Sequence, residues 1–362
     1  MASSAPGRPS EPHVGPGRGV FSTVVAGGSG FIGEAVVRAL DAAGWPVTVL
    51  SRDPARALRR APPAVRSVAW DGRSDGPWTE AVDGADAVVN LAGKGIFESR
   101  WNDEVKAQIV GSRVGAAEAL ALAIERAKVR PKVYIGASAT GWYGPRGDEE
   151  LDESSPGGND FLAKTCAAWE GAHRKIEAFG VRVVILRFGV VLGPDPGWWT
   201  RLLAPVATAP IPGARRLAAA LGARLACGAL PQLMPPLPVA GLSTVGSGRP
   251  WFSWVHRGDV AAMIRWAAET DAVRGVFNAT APEPLTMREF CRVLAAVRGK
   301  SPVLPVFGWQ IRLLAGEVAE VLLTGQKVYP KAATAAGYVF RHPSCEGALR
   351  DLLGRPAGDD LP

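Results

Sequence analysis

Cysteine is scarce in this chain of 362 residues; there are four, Cys166, Cys227, Cys291 and Cys345. They stand far apart with no metal-ligand spacing. That excludes a disulfide framework or a cysteine-based zinc site, and all four read as reduced thiols in a reducing compartment. Histidine is equally rare: His13, His173, His256 and His342 share no motif with one another or with the cysteines, and no metal is assigned. No apolar run is long and uninterrupted, so a membrane partner is not expected. A basic tract interleaved with aromatics is also missing. The net charge of +7 is carried mostly by arginines spread along the chain, which argues against a nucleic-acid partner. The first 18 residues have no apolar core of the kind a secretory signal needs. Their Pro, Gly and Ser content reads as a disordered tail covering residues 1–20. With only Glu11 as an acid beside Arg8 and Arg18, a short transit peptide is the alternative. The expected location is therefore cytoplasmic, or an organelle stroma or matrix if the tail is such a peptide.

What the chain does have is organised around Val24-Val25-Ala26-Gly27-Gly28-Ser29-Gly30-Phe31-Ile32-Gly33. An apolar run ends in a glycine cluster, and Ala35, Val36, Val37, Leu40 and Ala43 follow at helical spacing. This reads as strand, tight turn and helix, the context a GxGxxG pattern requires. One glycine permits the turn, one lets backbone approach a pyrophosphate, and Gly33 lets helix and strand pack closely. The helix start then offers unpaired N–H groups and a positive dipole end to phosphates. The basic balance suits a protein holding such a polyanion.

Further strands are expected at 46–50, 66–69, 87–91, 133–136 and 181–188, with helices at 104–127 and 161–178. Asp53 reads as a helix cap before Pro54. Strands alternating with helices give an α/β fold, a Rossmann doubly wound parallel sheet, with a smaller C-terminal substrate lobe. The domains read as the tail, a dinucleotide-binding domain over 21–195, an insertion over 196–227, and the lobe with an appended helical segment over 228–362. Elements near 251–280 partly return to the first domain. In that stretch Asp259 is expected to cap a helix running to Thr270, and 276–278 to form a short strand. Thr286 with Glu289 makes a capping-box pattern. Two or three short helices are expected over 309–353.

The ordered motifs resemble the atypical extended short-chain dehydrogenase/reductases of the epimerase family protein group, related to sugar-nucleotide epimerases. The residues that carry the resemblance include 27–33, Ser51-Arg52, Asn90-Leu91-Ala92-Gly93, Arg100-Trp101 with Lys106, Ser112-Arg113, 138–144, Trp169-Glu170, 187–193, 253–256, 278–282, and Gly325-Gln326-Lys327-Val328 with Pro330. The resemblance covers about 22–354 apart from 198–226, and implies an NADP-binding Rossmann fold with an appended segment of unassigned role.

Read for chemistry, the end of the second strand carries Ser51-Arg52 where NAD-selective sites place an acid on the ribose 2′-OH. A hydroxyl and a guanidinium suit a 2′-phosphate instead, so the expected cofactor is NADP. Its candidate binding residues are Gly27, Gly30, Phe31, Ile32, Gly33, Ser51, Arg52, Leu91, Ala92, Gly93 and Arg113. Arg113 could instead be a solvated helix residue, but the resemblance favours the cofactor contact. After the fifth strand, Ser138, Thr140 and Tyr143 are the candidate catalytic residues, with Tyr143 the favoured proton donor. The tyrosine and lysine usual in such enzymes fall on Leu162 and Cys166, with Lys164 out of register. Neither substitute can move a proton as that pair does. His256 reads equally as a packed histidine or an acid/base group. Three functions stand: an NADP-dependent oxidoreductase acting on a small or nucleotide-linked substrate, an NADP-binding sensor or assembly protein without turnover, and a sugar-nucleotide epimerase. An oligomer is compatible with all three.

Overall fold

Valine- and isoleucine-rich strands without polar alternation are what a sheet covered on both faces requires. In the computed structural model, which describes residues 20–194, 242–299 and 304–354, seven such strands form one parallel sheet. In chain order its members are β1 (Thr23–Ala26), β2 (Val47–Ser51), β3 (Arg66–Ala69), β4 (Ala87–Asn90), β5 (Val133–Ala139), β7 (Arg182–Phe188) and β12 (Gly275–Ala279). They lie in the order β12-β7-β5-β4-β1-β2-β3. The chain winds outward from β1 to β3, then returns to the other side of β1 with β4. The reversal leaves a crevice at the carboxyl ends of β1 and β4, where open sheets of this kind bind ligands.

Neighbouring side chains on each strand enter opposite layers. Val25, Val49, Val89 and Ile135 pack on one face with Val36 and Leu40 of α1 (Phe31–Ala42) and with Ile264 and Ala267 of a helix over Arg257–Glu269. Val24, Leu50, Val88 and Tyr134 pack on the other with Ala116, Leu120 and Ile124 of a long helix over Asp103–Arg126. That helix is long and apolar enough to cross a membrane by length and composition. This corrects the sequence expectation of no such segment; here its apolar face is spent on the sheet.

The remaining strands are short. β6 (Glu150–Leu151) pairs with β15 (Lys327–Val328), β8 (Val190–Leu192) with β11 (Trp254–His256), β9 (Leu242–Val245) with β14 (Leu304–Val306), and β10 (Trp251–Phe252) with β13 (Leu285–Thr286). The other helices are α2 (Pro54–Leu58), α3 (Asp103–Arg126), α4 (Phe161–Arg174), α5 (Arg257–Glu269), α6 (Met287–Val297), α7 (Gly308–Ala315), α8 (Glu320–Leu323), α9 (Lys331–Ala335) and α10 (Cys345–Leu352). A separate core joins Trp254, Phe290 and Leu294 to Ile311, Leu322 and Leu349.

Asp53 caps α2 through the Arg56 amide, and Thr286 with Glu289 forms the expected capping box. Asp259 does not cap α5. The cap is His256, whose Nδ1 accepts the Gly258 amide at 3.1 Å. Asp259 is buried in the first turn and accepts the amides of Arg341 and His342 at 2.7 and 3.0 Å. A short-range motif could not reveal a carboxylate used across about eighty positions. The tail holds four short helices where two or three were expected. Cys166, Cys291 and Cys345 are free and buried; Cys227 and the expected insertion at 196–227 lie outside the described residues.

Candidate functional site

The glycine turn is shaped by backbone, not by side chains. Gly27 has φ +78°, and a Cβ there would meet the Leu91 carbonyl carbon and oxygen at 2.8 Å and the Ala92 nitrogen at 2.9 Å. A Cβ on Gly33 would fall 2.2 Å from the Gly27 oxygen. The Leu91 amide donates to the Ala26 oxygen at 2.9 Å, locking the loop after β4 against the turn after β1. At the start of α1, Gly30 provides no side-chain cap. The first-turn amides therefore face the crevice with no side chain supplied for them. Phe31 packs nearby, its carbonyl accepting from Arg257 at 3.3 Å.

At the end of β2, Ser51 is buried and its Oγ lies 3.4 Å from Ser29 Oγ. That hydroxyl also bonds the backbone of Asp53, whereas Arg52 is exposed. Any 2′-phosphate recognition thus falls chiefly on the guanidinium. Gly93 sits against Arg113, which a Cβ would approach to 3.3 Å. Arg113 Nη1 donates to the Lys94 and Ile109 carbonyls at 2.9 and 3.0 Å, and the guanidinium lies 5.1 Å from the centre of the Trp169 ring. Burial lowers its pKa from the ordinary arginine value.

Below the loop, Asn90 donates to Tyr134 Oη at 2.9 Å and accepts the Ala92 amide. Tyr134 Oη and His173 Nδ1 are 2.9 Å apart, and His173 Nε2 is 3.0 Å from the Ala137 carbonyl. A carbonyl only accepts, so Nε2 carries the proton and Nδ1 accepts from Tyr134. Burial holds the imidazole down at about 4.

The three candidate hydroxyls at and just beyond the end of β5 have different fates. Ser138 is buried and donates to Glu170 Oε1 at 2.8 Å. Glu170 is also gripped by Arg187, through Nε at 2.7 Å and Nη2 at 3.0 Å, and by Arg174 at 3.1 Å. Tyr143 is fully buried; its hydroxyl donates to Asn278 Oδ1 at 2.7 Å and accepts from Arg187 Nη1 at 3.1 Å. Burial raises its pKa, and the Arg187 charge does not offset that. A buried, doubly engaged phenol with a raised pKa does not fit the expected proton donor, and the assignment is corrected on that ground. Thr140, at the start of a 3-10 turn over Thr140–Tyr143, makes no hydrogen bond to another described residue. Its hydroxyl is the free one of the three.

Leu162 and Cys166 occupy the faces the register assigned them. A Cβ on Gly141 would lie 3.3 Å from Leu162 Cβ and 3.8 Å from Cys166 Sγ, while Lys164 points to solvent. Burial pushes the Cys166 thiol up to about 11. Glu170, Arg187 and Asn278 were visible in sequence as motif residues without roles. The signal was an arginine inside an otherwise apolar strand.

The histidines without a shared motif prove to be neighbours in one case. His256 and His342 have ring centres 3.9 Å apart, with Asp351 alongside. His256 Nδ1 accepts the Gly258 amide, so the proton resides on Nε2. That atom approaches Asp351 Oδ2 at 3.3 Å without a well-formed hydrogen bond. A ligand nitrogen needs a free lone pair, so this tautomer suits a packed cap rather than a metal ligand.

Against known proteins, the NAD dependent epimerase/dehydratase family matches residues 23–279, and a domain of unknown function (DUF1731) matches 306–352. The chain is 34% identical over 331 residues to the Arabidopsis thaliana epimerase family protein SDR39U1 homolog, chloroplastic, covering 91% of this chain and 86% of that one. It is 32% identical to the Bacillus subtilis epimerase family protein YfhF, covering 92% and 98%. It also resembles the crystal structure of human epimerase family protein SDR39U1 (isoform 2) with NADPH, at 31% identity and TM-score 0.71 over 92% of this chain and 99% of that one.

Proposed function

Because the chain belongs to the NAD dependent epimerase/dehydratase family, we propose that it is an NADP(H)-dependent oxidoreductase of the extended short-chain type. The observation that carries the reading is the side-chain-free cradle where Gly27 and Gly33 meet the backbone, with Arg52 rather than an acid at the end of β2. The human structure with NADPH supports the choice of NADP. Phe31, Ile32 and the first-turn amides of α1 would hold the pyrophosphate, Arg52 the 2′-phosphate, and Leu91, Ala92 and Gly93 the inner half. Arg113 braces that loop through the Lys94 carbonyl. The bound cofactor supplies hydride chemistry. This chain's part is to exclude water and to polarise the substrate oxygen, with the free Thr140 hydroxyl as donor.

Arg52→Ala should weaken NADPH binding by about 1.5–3 kcal/mol, roughly ten- to a hundredfold, and leave NADH nearly unchanged. Calorimetric titration of both cofactors checks this; equal loss for both removes Arg52 from cofactor choice. A second reading, an NADP-binding sensor without turnover, draws on Leu162 and Cys166 standing where a proton-transfer pair would be. Absence of NADPH oxidation with every acceptor would favour it.

A further inference from the structure

The substrate side of the same site is aromatic and aliphatic. Trp101 and Phe161 meet edge to face with ring centres 5.1 Å apart, and Leu162 follows Phe161 against Gly141. All three are half-buried, so together they form a shelf beside Thr140 at the end of β5. Two cations beside the shelf, among the described residues, are already engaged. Lys106 pairs with Glu317 at 2.6 Å while lying 5.2 Å over the Phe161 ring, and Arg100 Nη2 donates to the Leu313 carbonyl at 2.9 Å. A nucleotide-linked sugar would require cations for its diphosphate and polar partners for its hydroxyls.

Proton supply narrows the substrate further. Reducing an aldehyde or ketone creates an alkoxide, a base comparable to hydroxide, which needs an acid at hand. Tyr143 is sealed in the core, Ser138 donates inward to Glu170, and the Cys166 thiol faces the Ala139 carbonyl. Reducing a quinone creates a phenolate-type oxygen, whose conjugate acid has a pKa of about 10 and which takes its proton from water.

We propose that the acceptor is a planar quinoid ring seated on Trp101, Phe161 and Leu162, a proposal that rests on the oxidoreductase reading above. The acceptor gains two electrons and one hydrogen as hydride from the reduced nicotinamide, whose C4–H bond breaks. An O–H bond forms on one quinone oxygen, the ring becomes aromatic, and the second oxygen is protonated by water. Thr140 donates a hydrogen bond to that second oxygen as charge gathers there.

Two measurements test this on the full chain. Stopped-flow mixing of the NADPH-loaded protein with menadione, butyraldehyde or a nucleotide-linked keto-sugar follows loss of NADPH absorbance. Equilibrium dialysis follows menadione binding to the NADP⁺-loaded protein without turnover. Menadione should oxidise NADPH at least about tenfold faster than the other two. Phe161→Ala and, separately, Trp101→Ala should each weaken menadione binding by about tenfold with NADPH affinity kept. Oxidation by the aldehyde or keto-sugar but not by menadione overturns the quinoid assignment and leaves the oxidoreductase reading standing. No oxidation by any acceptor overturns both. Unchanged menadione binding in both variants overturns the shelf.

Discussion

Glu170 is 0% exposed and holds four bonds, from Ser138, twice from Arg187, and from Arg174. Burial works against the Arg187 charge, but the Glu170 carboxylate outweighs it and the guanidinium pKa rises. Breaking such a pair leaves a buried charge short of partners, which costs about 3–5 kcal/mol. Arg187→Met should therefore lower the unfolding free energy, read by denaturant titration, by that amount; a loss below about 1 kcal/mol would show that Arg174 alone suffices. The two buried histidines set an acid limit. His173 and His256 are each held at about 4, chiefly by burial, against about 6.5 unfolded. Between these values the unfolded chain binds more protons, so stability falls as pH drops from about 6.5 to 4. His256→Asn keeps a capping side chain and removes one titration, so its melting temperature should fall less steeply across that window. An unchanged slope would mean His256 is protonated in the folded protein. The role of His173 was not legible in sequence, because it depends on Tyr134 from another element. His256 was legible as a packed histidine, but its neighbours His342 and Asp351 come from elsewhere.

At the scale of elements, legibility followed the range of the physics. The turn between β1 and α1, the Asp53 cap and the Thr286–Glu289 capping box are set within a few residues, and the sequence displays them. The three hydroxyls at and just beyond the end of β5 were equally visible, but which of them is free depends on α4, β7 and β12. Leu162 and Cys166 could be placed because the resemblance sets their register from Trp169-Glu170, and helical spacing then carries both to one face. Gly33 makes a stringent demand in the first turn of α1. Gly33→Ala would set a Cβ 2.2 Å from the Gly27 oxygen and 2.6 Å from Gly28 Cα, both backbone. The first turn of α1 must shift, and NADPH binding should be lost in calorimetry even where far-ultraviolet dichroism shows the helix content kept. Retained affinity would mean that the turn relaxes without moving its amides.

For the whole molecule, a doubly wound parallel sheet was foreseeable from the alternation of strands and helices, whereas the use of the C-terminal segment was not. Ser253 Oγ donates to the Gln326 carbonyl at 2.7 Å and accepts the Val328 amide at 3.0 Å, and Asn278 Nδ2 donates to the Tyr329 carbonyl at 3.0 Å. Ile311, Leu322 and Leu349 complete the core around Trp254 and Phe290. Truncation before residue 304 would expose that core. It should give aggregated protein when expressed alone, judged by size-exclusion chromatography; a monodisperse product would show that the first domain closes without help.

The strand β15 that flanks Asn278 also has a place in time. Tyr329 meets Asn278, which meets Tyr143, which meets Arg187 and so Glu170 and Ser138. On the ribosome, every member of that chain except Tyr329 is synthesised well before the strand that closes it. A nascent chain that has emerged only as far as residue 325 should therefore carry a complete parallel sheet yet leave Asn278 and Ser253 without their last partners. Stalled chains, extended at the C-terminus by a linker that fills the exit tunnel, should be cut within 275–282 by limited proteolysis until residue 330 has emerged, and protected afterwards. Protection appearing before that point would mean the sheet edge matures unaided. By this order the protein finishes the strand end beside its candidate site among the last things it folds, so little of the nascent chain is competent to bind substrate before most of it has been made.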